Sequence, residues 1–241
     1  MKQAIVVFNS GSTSLKFGAQ AFPGLPQVAC FDSSFHRKMP KVAQTYALPK
    51  DVRDAGVRHW GYHGISYDYI SRQVPRFAPQ ARRVIVAHLG GGASLCASFY
   101  LLRSKRFDDA ALEKMLYERS GLLGLSGTSG DMRMLQNSAD PRAIAAVEHF
   151  VYAMLKTIGG YIAVLGGLDA LVFTAGIGEN SVPQRAALCG KLAGLGVKLD
   201  EQANQAGGPR ISAQDSDVSV WVIPTDEESM IAQQALALVG L

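Results

Sequence analysis

The sequence predicts an α/β protein. Three stretches carry that expectation: "RVIVAHLGGGASLCA" (83–97), "DALVFTAGIG" (169–178) and "VSVWVIPTDEE" (218–228) each pass from a β-branched apolar run into glycines, or into a proline and carboxylates. Between and after them lie segments whose apolar residues recur at helical spacing, so strands alternate with helices.

Taken in order, "AIVVF" (4–8) is a β-branched run that stops at the turn formers "NSGSTS", and "LKFGAQAF" (15–22) resumes it as a strand–turn–strand hairpin. Residues 83–97 repeat that plan. "DDAALEKMLYER" (108–119) opens on capping aspartates and puts Leu112, Met115 and Leu116 on one helical face. A long helix is predicted over 140–166, with Asp140 as N-cap and Pro141 at its first position. Its stripe is Ile144, Val147, Val151, Met154, Leu155 and Ile158, and Gly159-Gly160 is expected to kink it or bring it close to a neighbour. The strand at 169–178 ends in a glycine turn, after which Ser181 and Pro183 start a helix with a Leu188, Leu192, Leu195 stripe. "AGGPRISAQDSD" (206–217) reads as a surface loop, and a last helix follows the strand at 218–228.

Composition narrows the function classes. The 241 residues are 48% hydrophobic and 18% charged, enough to bury a real core. The formal charge of +4 is spread along the chain, without the basic footprint of a nucleic-acid binder. Cys30, Cys96 and Cys189 are far apart and odd in number, suggesting neither a disulfide framework nor a zinc knuckle. The apolar run in "MKQAIVVFNSG" is too short for a signal peptide, and the most apolar region (143–177) contains Glu148, His149, Lys156 and Asp169. A cytoplasmic protein with no membrane span is expected.

Several polar clusters could carry chemistry. Turns made of Gly and Ser point backbone N–H groups outward and form anion-binding concavities. Asn9, Ser10, Ser12 and Lys16 crown the first hairpin, and His88, Gly90, Gly91 and Gly92 the second. Lys16 suits a phosphate as a point charge. In "GIGEN" the glycines could admit a flat base against bare backbone, with Glu179 or Asn180 bonding its edge or the ribose. Asp131 and Arg133 in "SGDMR" precede a helix, and the plainer account of them is a capping aspartate beside a surface arginine. "TDEE" could hold Mg2+ through water, or Glu227 and Glu228 could simply open the last helix. Asp32 and His63 are the reactive candidates, with a cap and a structural histidine as their plainer accounts.

In sequence, "VVFNSGSTSLKF", "CFDSSFHRKMP", "GYHGIS", "AHLGGGAS", "SGLLGLSGTSGDMR", "LDALVFTAGIGENS" and "VIPTDEE" resemble successive motifs of the acetate kinase family. The resemblance implies a ribonuclease H-like (actin-like ATPase) fold and Mg2+-dependent phosphoryl transfer between ATP and acetate or propionate. It implies that Asn9 and Glu227 hold Mg2+, that Lys16 with Ser10 and Ser12 lies near the ATP phosphates, and that His88, Leu89, Gly90, Gly91 and Gly92 wrap them. Asp131, Met132, Arg133, Gly176, Ile177, Gly178, Glu179 and Asn180 would bind the adenosine part. Asp32 would act on the carboxylate as acid/base or orienting group, and His63 would stabilise the transferring phosphoryl. Such chemistry needs positioning and charge neutralisation more than covalent help.

The resemblance also exposes two internal gaps. Where the family carries most of its first domain, including an HRVVHGGE-like segment with a clamping arginine, this chain has only "GAQAFPGL". A GTRSGD-like segment is missing after "GGGASLCA", and Gly91 stands where the family usually has Asn. The expected layout is therefore a reduced first domain, 1–35 with 228–241, and a largely intact second, 36–227, for nucleotide binding and dimerisation. A homodimer is implied. The alternative function is a nucleotide-binding remnant without carboxylate kinase activity.

Overall fold

A computed structural model describes residues 28–59, 61–89 and 109–239. The first hairpin, with Asn9, Ser10, Ser12 and Lys16, and the tip Gly90–Gly92 with the strand after it, lie outside the described residues. Two compact units are present: one combines the residues up to Arg76 with those from Thr225 onward, and the other is Phe77–Pro224.

Unit Phe77–Pro224 is built on a parallel sheet of β1 (Val84–His88), β2 (Ala170–Thr174) and β3 (Ser219–Val222), in that spatial order. The register pairs Val84 with Ala170 and His88 with Thr174, then Ala170 with Ser219. Central β2 is buried along its whole length, as expected of a parallel strand covered on both faces. Asp169 fixes where β1 and β2 start: its carboxylate accepts the backbone N–H groups of Arg82 and Arg83, each at 2.8 Å, and the Arg83 side chain at 2.5 Å. Those bonds, led by the Arg83 side chain, hold its pKa well below the usual carboxylate range.

Between β1 and β2 come α5 (Asp109–Glu118), α6 (Gly121–Ser126), α7 (Met132–Leu135) and α8 (Pro141–Leu165), which follow α1 (Asp32–Phe35), α2 (Lys41–Gln44), α3 (Lys50–Asp54) and α4 (Gly64–Phe77) of the chain's first part. The predicted cap of α8 is observed, with Asp140 accepting the Arg142 N–H at 2.8 Å and Pro141 in the first turn. Its expected stripe is largely observed, with Ile158 buried and Val147, Val151, Met154 and Leu155 packed partly buried against the core. Ala143, Ala146, Phe150 and Ile158 face the core, whereas Ile144 is 47% exposed. Ala143 and Ala146 let α8 approach its neighbours α6, α7 and α10 closely at its first turns. The helix runs unbroken through Gly159 and Gly160, and a Cβ on either would meet nothing, so no neighbour among the described residues approaches there.

After β2 come α9 (Ala175–Asn180), α10 (Val182–Lys191) and α11 (Glu201–Ala206), and after β3 comes α12 (Glu227–Val239). Leu188 and Leu192 are buried as expected, but Leu195 is 52% exposed. α10 ends at Lys191, and a 3-10 turn closing at Gly196 carries Leu195 off the stripe. The predicted surface loop 206–217 is partly core: Ile211 is fully buried, and the segment bridges Leu199 to Ser212 and Arg210 to Trp221.

In the other unit, α4 is tied to α12 by Gln234 to Asp68 at 3.0 Å and to the segment just before α12 by Thr225 Oγ1 to Ser66 Oγ at 2.8 Å. Ile70 and Met230 are fully buried there.

Candidate functional site

In unit Phe77–Pro224 the candidate residues gather at the carboxyl ends of β1 and β2. In open parallel sheets this edge is where ligands bind, because the chain turns away there and leaves a crevice. His88 closes β1 opposite Thr174, and the Leu89 N–H reaches the Thr174 carbonyl at 3.3 Å. Thr174 leads directly into Ala175–Asn180. Two of the predicted phosphate- and adenosine-contacting stretches are thus brought side by side by strand register alone.

The stretch 175–180 is not the open loop the sequence suggests but a short helix, α9. Ala175 starts it in the left-handed region at φ 63°, a conformation costing a non-glycine residue about 1–3 kcal/mol. The two glycines differ. Gly178 is buried, and a Cβ there would sit 3.3 Å from the Phe173 carbonyl carbon, so it lets α9 lie on β1 and β2. Gly176 is exposed, and a Cβ on it would meet nothing.

The polar side chains of this stretch serve the turn itself. The Glu179 carboxylate accepts the Ala175 N–H at 2.8 Å, and Asn180 Nδ2 donates to the Gly176 carbonyl at 2.9 Å. What the turn presents outward is therefore backbone at Gly176 beside half-buried Ile177.

Asp131 is the N-cap of α7, accepting the Arg133 N–H at 2.8 Å and the Arg133 guanidinium at 2.7 Å. The arginine side chain, then its N–H, pulls the Asp131 pKa down. Asp140 and Arg142 repeat the same Asp-x-Arg cap on α8, so the cap alone does not mark a ligand site. Location distinguishes the first copy. At the end of α7, Gln136 Oε1 accepts the Ser181 hydroxyl at 2.7 Å, which ties the segment 131–136 to the end of α9. Met132 and Leu89, both predicted to contact the nucleotide, send their side chains into the core at 3% and 2% exposure, leaving their backbones for that role. An apolar groove of about 640 Å³ starts beside Gln136, with Ile144, Val147 and Val151 on one wall and Pro183 and Gln184 on the other.

In the other unit Asp32 opens α1, and its Oδ1 accepts the Ile65 N–H at 3.1 Å. It thus caps α4 from a distant part of the chain, where a negative charge also suits the helix dipole. Gly64 is forced by this contact, since a Cβ would strike the Asp32 carbonyl. His63, just before α4, is exposed and left-handed at φ 57°. Behind it, buried His36 meets the Tyr62 carbonyl through Nε2 at 3.1 Å, and its ring fills the space a Cβ on Gly61 would need. Asp32 shares a cavity of about 390 Å³ with Tyr46, Arg58 and Tyr62. Glu227 is the first residue of α12, whose start is capped by Asp226 accepting the Ser229 N–H at 2.9 Å. Among the described residues no three His, Cys, Asp or Glu side chains cluster as a metal site.

Sequence reasoning missed His36, Gln136, Arg185 and Asn204. His36 was visible as the sixth residue of "CFDSSFH" counted from Phe31, and Arg185 as a charge directly before the apolar run Ala186, Ala187, Leu188 and Cys189. Nothing local singled out Gln136 or Asn204.

Fold and site together define an α/β protein with a parallel sheet whose central strand runs into a short helix that exposes the Gly176 backbone. The Acetokinase family profile matches residues 15–98 and 97–233, and the chain belongs to that family. It is 45% identical over 257 residues to the acetate kinase of Rhodopseudomonas palustris, covering 91% of this chain and 65% of that protein. To the acetate kinase of Rhizobium meliloti it is 43% identical over 259 residues, covering 94% and 66%. Among solved structures, Porphyromonas gingivalis acetate kinase superposes with TM-score 0.84 at 29% identity, covering 94% of this chain and 67% of that one. A propionate kinase from Francisella tularensis gives TM-score 0.85 at 33% identity, covering 92% and 67%. The chain thus spans about 65% of the length of its curated relatives.

Proposed function

We propose that this chain is a Mg2+-dependent acetate kinase, moving the γ-phosphoryl of ATP to acetate or propionate. A carboxylate oxygen attacks the γ-phosphorus, the bond to the bridging oxygen breaks, and ADP leaves with that electron pair. The observation that carries the reading is the meeting of His88 and the bare Gly176 backbone at the carboxyl edge of β1 and β2, in a chain of the acetokinase family.

In this reading Gly176 and Ile177 face the adenosine with backbone, Gly178, Glu179 and Asn180 shape that wall, and Asp131 to Arg133 close it. His88 to Gly92, with Ser10, Ser12 and Lys16, surround the phosphates. Asp32 orients the carboxylate and His63 neutralises charge on the transferring phosphoryl, supported by its exposed, left-handed position. Asn9 and Glu227 supply hard oxygen donors, which suit a Mg2+ ion that keeps water and phosphate as its other ligands. When bound, the ion would offset charge on the phosphate oxygens. The proposed domains are 1–35 with 228–241 and 36–227; the compact units divide at other positions.

A homodimer is part of the proposal, supported by Tyr152, Tyr161 and Val164 standing 61%, 55% and 83% exposed along α8. So is a cytoplasmic location, supported by the free Cys30 and the free, buried Cys189. Among the described residues no helix is long and apolar enough to cross a membrane.

The alternative is a nucleotide-binding protein without carboxylate kinase activity, favoured by the length shortfall against its relatives. Trapping acyl phosphate with hydroxylamine in Mg-ATP and acetate, beside a thermal shift in Mg-ADP, separates the two. Hydroxamate formation supports the kinase. A thermal shift without hydroxamate supports the alternative.

A further inference from the structure

We propose that Arg185 is a positioning residue, which with Asn204 holds the backbone of Ala175–Asn180 in the shape a nucleotide meets. The proposal rests on the nucleotide reading above.

Arg185 is fully buried, yet its hydrogen bonds all end on neutral oxygens. Nε donates to Asn204 Oδ1 at 2.8 Å and Nη2 to the Asn204 carbonyl at 2.9 Å. Nη1 donates to the carbonyls of Gly178 at 3.0 Å and Glu179 at 2.7 Å. The buried thiol of Cys189 gives no counter-charge, because burial pushes its pKa up to about 12. Burial likewise pulls the Arg185 pKa below its ordinary value. Among the described residues this interior cation has no ion-pair partner, which is costly, and a packed apolar side chain would serve stability at least as well.

Its acceptors show what the arginine does. The Gly178 and Glu179 carbonyls belong to the last turn of α9, where helix carbonyls lack intrahelical partners and the dipole favours a cation. The other end is closed by the Glu179 carboxylate on the Ala175 N–H. Two glycines and a left-handed alanine give this segment little helix propensity of its own, so the two bonded ends define its path. Asn204 completes the clamp: it is fully buried, and its Nδ2 donates to the Val182 carbonyl at 3.2 Å, on the far side of the α9–α10 junction.

The test is Arg185→Lys, whose single ammonium cannot span all four acceptors. Amide exchange at Glu179, Asn180 and Ser181, the dissociation constant for Mg-ADP, the KM values for ATP and acetate, and the melting temperature are measured. The expected result is exchange about tenfold faster at those amides and unchanged in β2, with Mg-ADP affinity down about tenfold and KM for acetate within about twofold. Unchanged exchange and unchanged Mg-ADP affinity in a folded Arg185→Lys would overturn the positioning role. A KM for acetate that rises in step with that for ATP would overturn it too. Faster exchange in a protein whose wild type binds no Mg-ADP would instead sink the nucleotide reading, and the nucleotide half of this proposal with it. Should Arg185→Lys not fold, Asn204→Ala, which removes the Nε acceptor and the bond to Val182, should show the same changes to a smaller extent, and unchanged exchange with unchanged Mg-ADP affinity in it would overturn the clamp.

Discussion

The junctions at His63–Gly64 and Ala175–Gly176 use the same backbone device to opposite ends. Each sets a non-glycine residue in the left-handed region, at φ 57° and 63°, directly before a glycine and a helical turn. Among the described residues these are the only non-glycine positions with positive φ. At 63 the strained residue carries a large polar side chain, and its flanking residues are bonded on both sides, Tyr62 to His36 and Ile65 to the Asp32 carboxylate. At 175 the strained residue is alanine, and the polar side chains of Glu179 and Asn180 are bonded to the segment's own backbone. One junction displays a side chain and the other displays backbone. Strain of this kind persists only where surrounding contacts over-determine it, which is what each junction shows.

The contrast can be broken most severely at His63. Replacement by glycine relieves the strained φ, so the melting temperature should hold or rise. Turnover should fall about a hundred- to a thousandfold if the imidazole stabilises the transferring phosphoryl. Full turnover in a stable His63→Gly protein would show that only the backbone matters at both junctions.

Next come the glycines. Gly64→Ala drives a Cβ into the Asp32 carbonyl and should cost about 3 kcal/mol or more in denaturant unfolding, whereas Gly178→Ala only crowds Phe173 at 3.3 Å and should cost about 1 kcal/mol or less. Gly176→Ala meets nothing in the fold, so its stability should stay within about 0.5 kcal/mol of wild type while Mg-ADP affinity falls. Tight Mg-ADP binding in Gly176→Ala would refute the bare-wall reading.

Asp32 sharpens the comparison further. Asp32→Asn keeps an oxygen for the Ile65 N–H and should preserve the melting temperature, whereas Asp32→Ala should lose about 1 kcal/mol of helix capping. Both should lose turnover, which separates the cap from the chemistry.

The smallest effect concerns pH. Asp169 is held ionised by Arg83 and two backbone N–H groups, so its folded pKa lies below the unfolded value of about 4. Its stabilisation is complete above about pH 5 and is lost as the pH falls through about 4 toward the folded pKa. Melting temperatures between those values should fall less steeply in Asp169→Asn than in wild type.

The same contrast explains what was legible in the sequence. β1, β2 and β3 were, because a buried parallel strand needs a β-branched run and little else. The α8 cap was, because Asp140 and Pro141 act within one turn. α4 carries no local start signal: it opens on Gly64, and its cap is Asp32, from another part of the chain. α9 is hidden for a similar reason, since its helix bonds are sustained by Glu179 and Arg185 rather than by propensity. At the site, the sequence marked the glycines and the acidic caps, whereas the contacts that hold them are long-range and leave no periodic trace.

The most direct test of the account follows the label from γ-phosphoryl-labelled ATP in a single turnover with Mg2+ and acetate. The account predicts label in a hydroxylamine-labile acyl phosphate, with a matching yield of ADP, and loss of both in His63→Gly. Label that stays on ATP, or appears only as inorganic phosphate whether or not acetate is present, would contradict it.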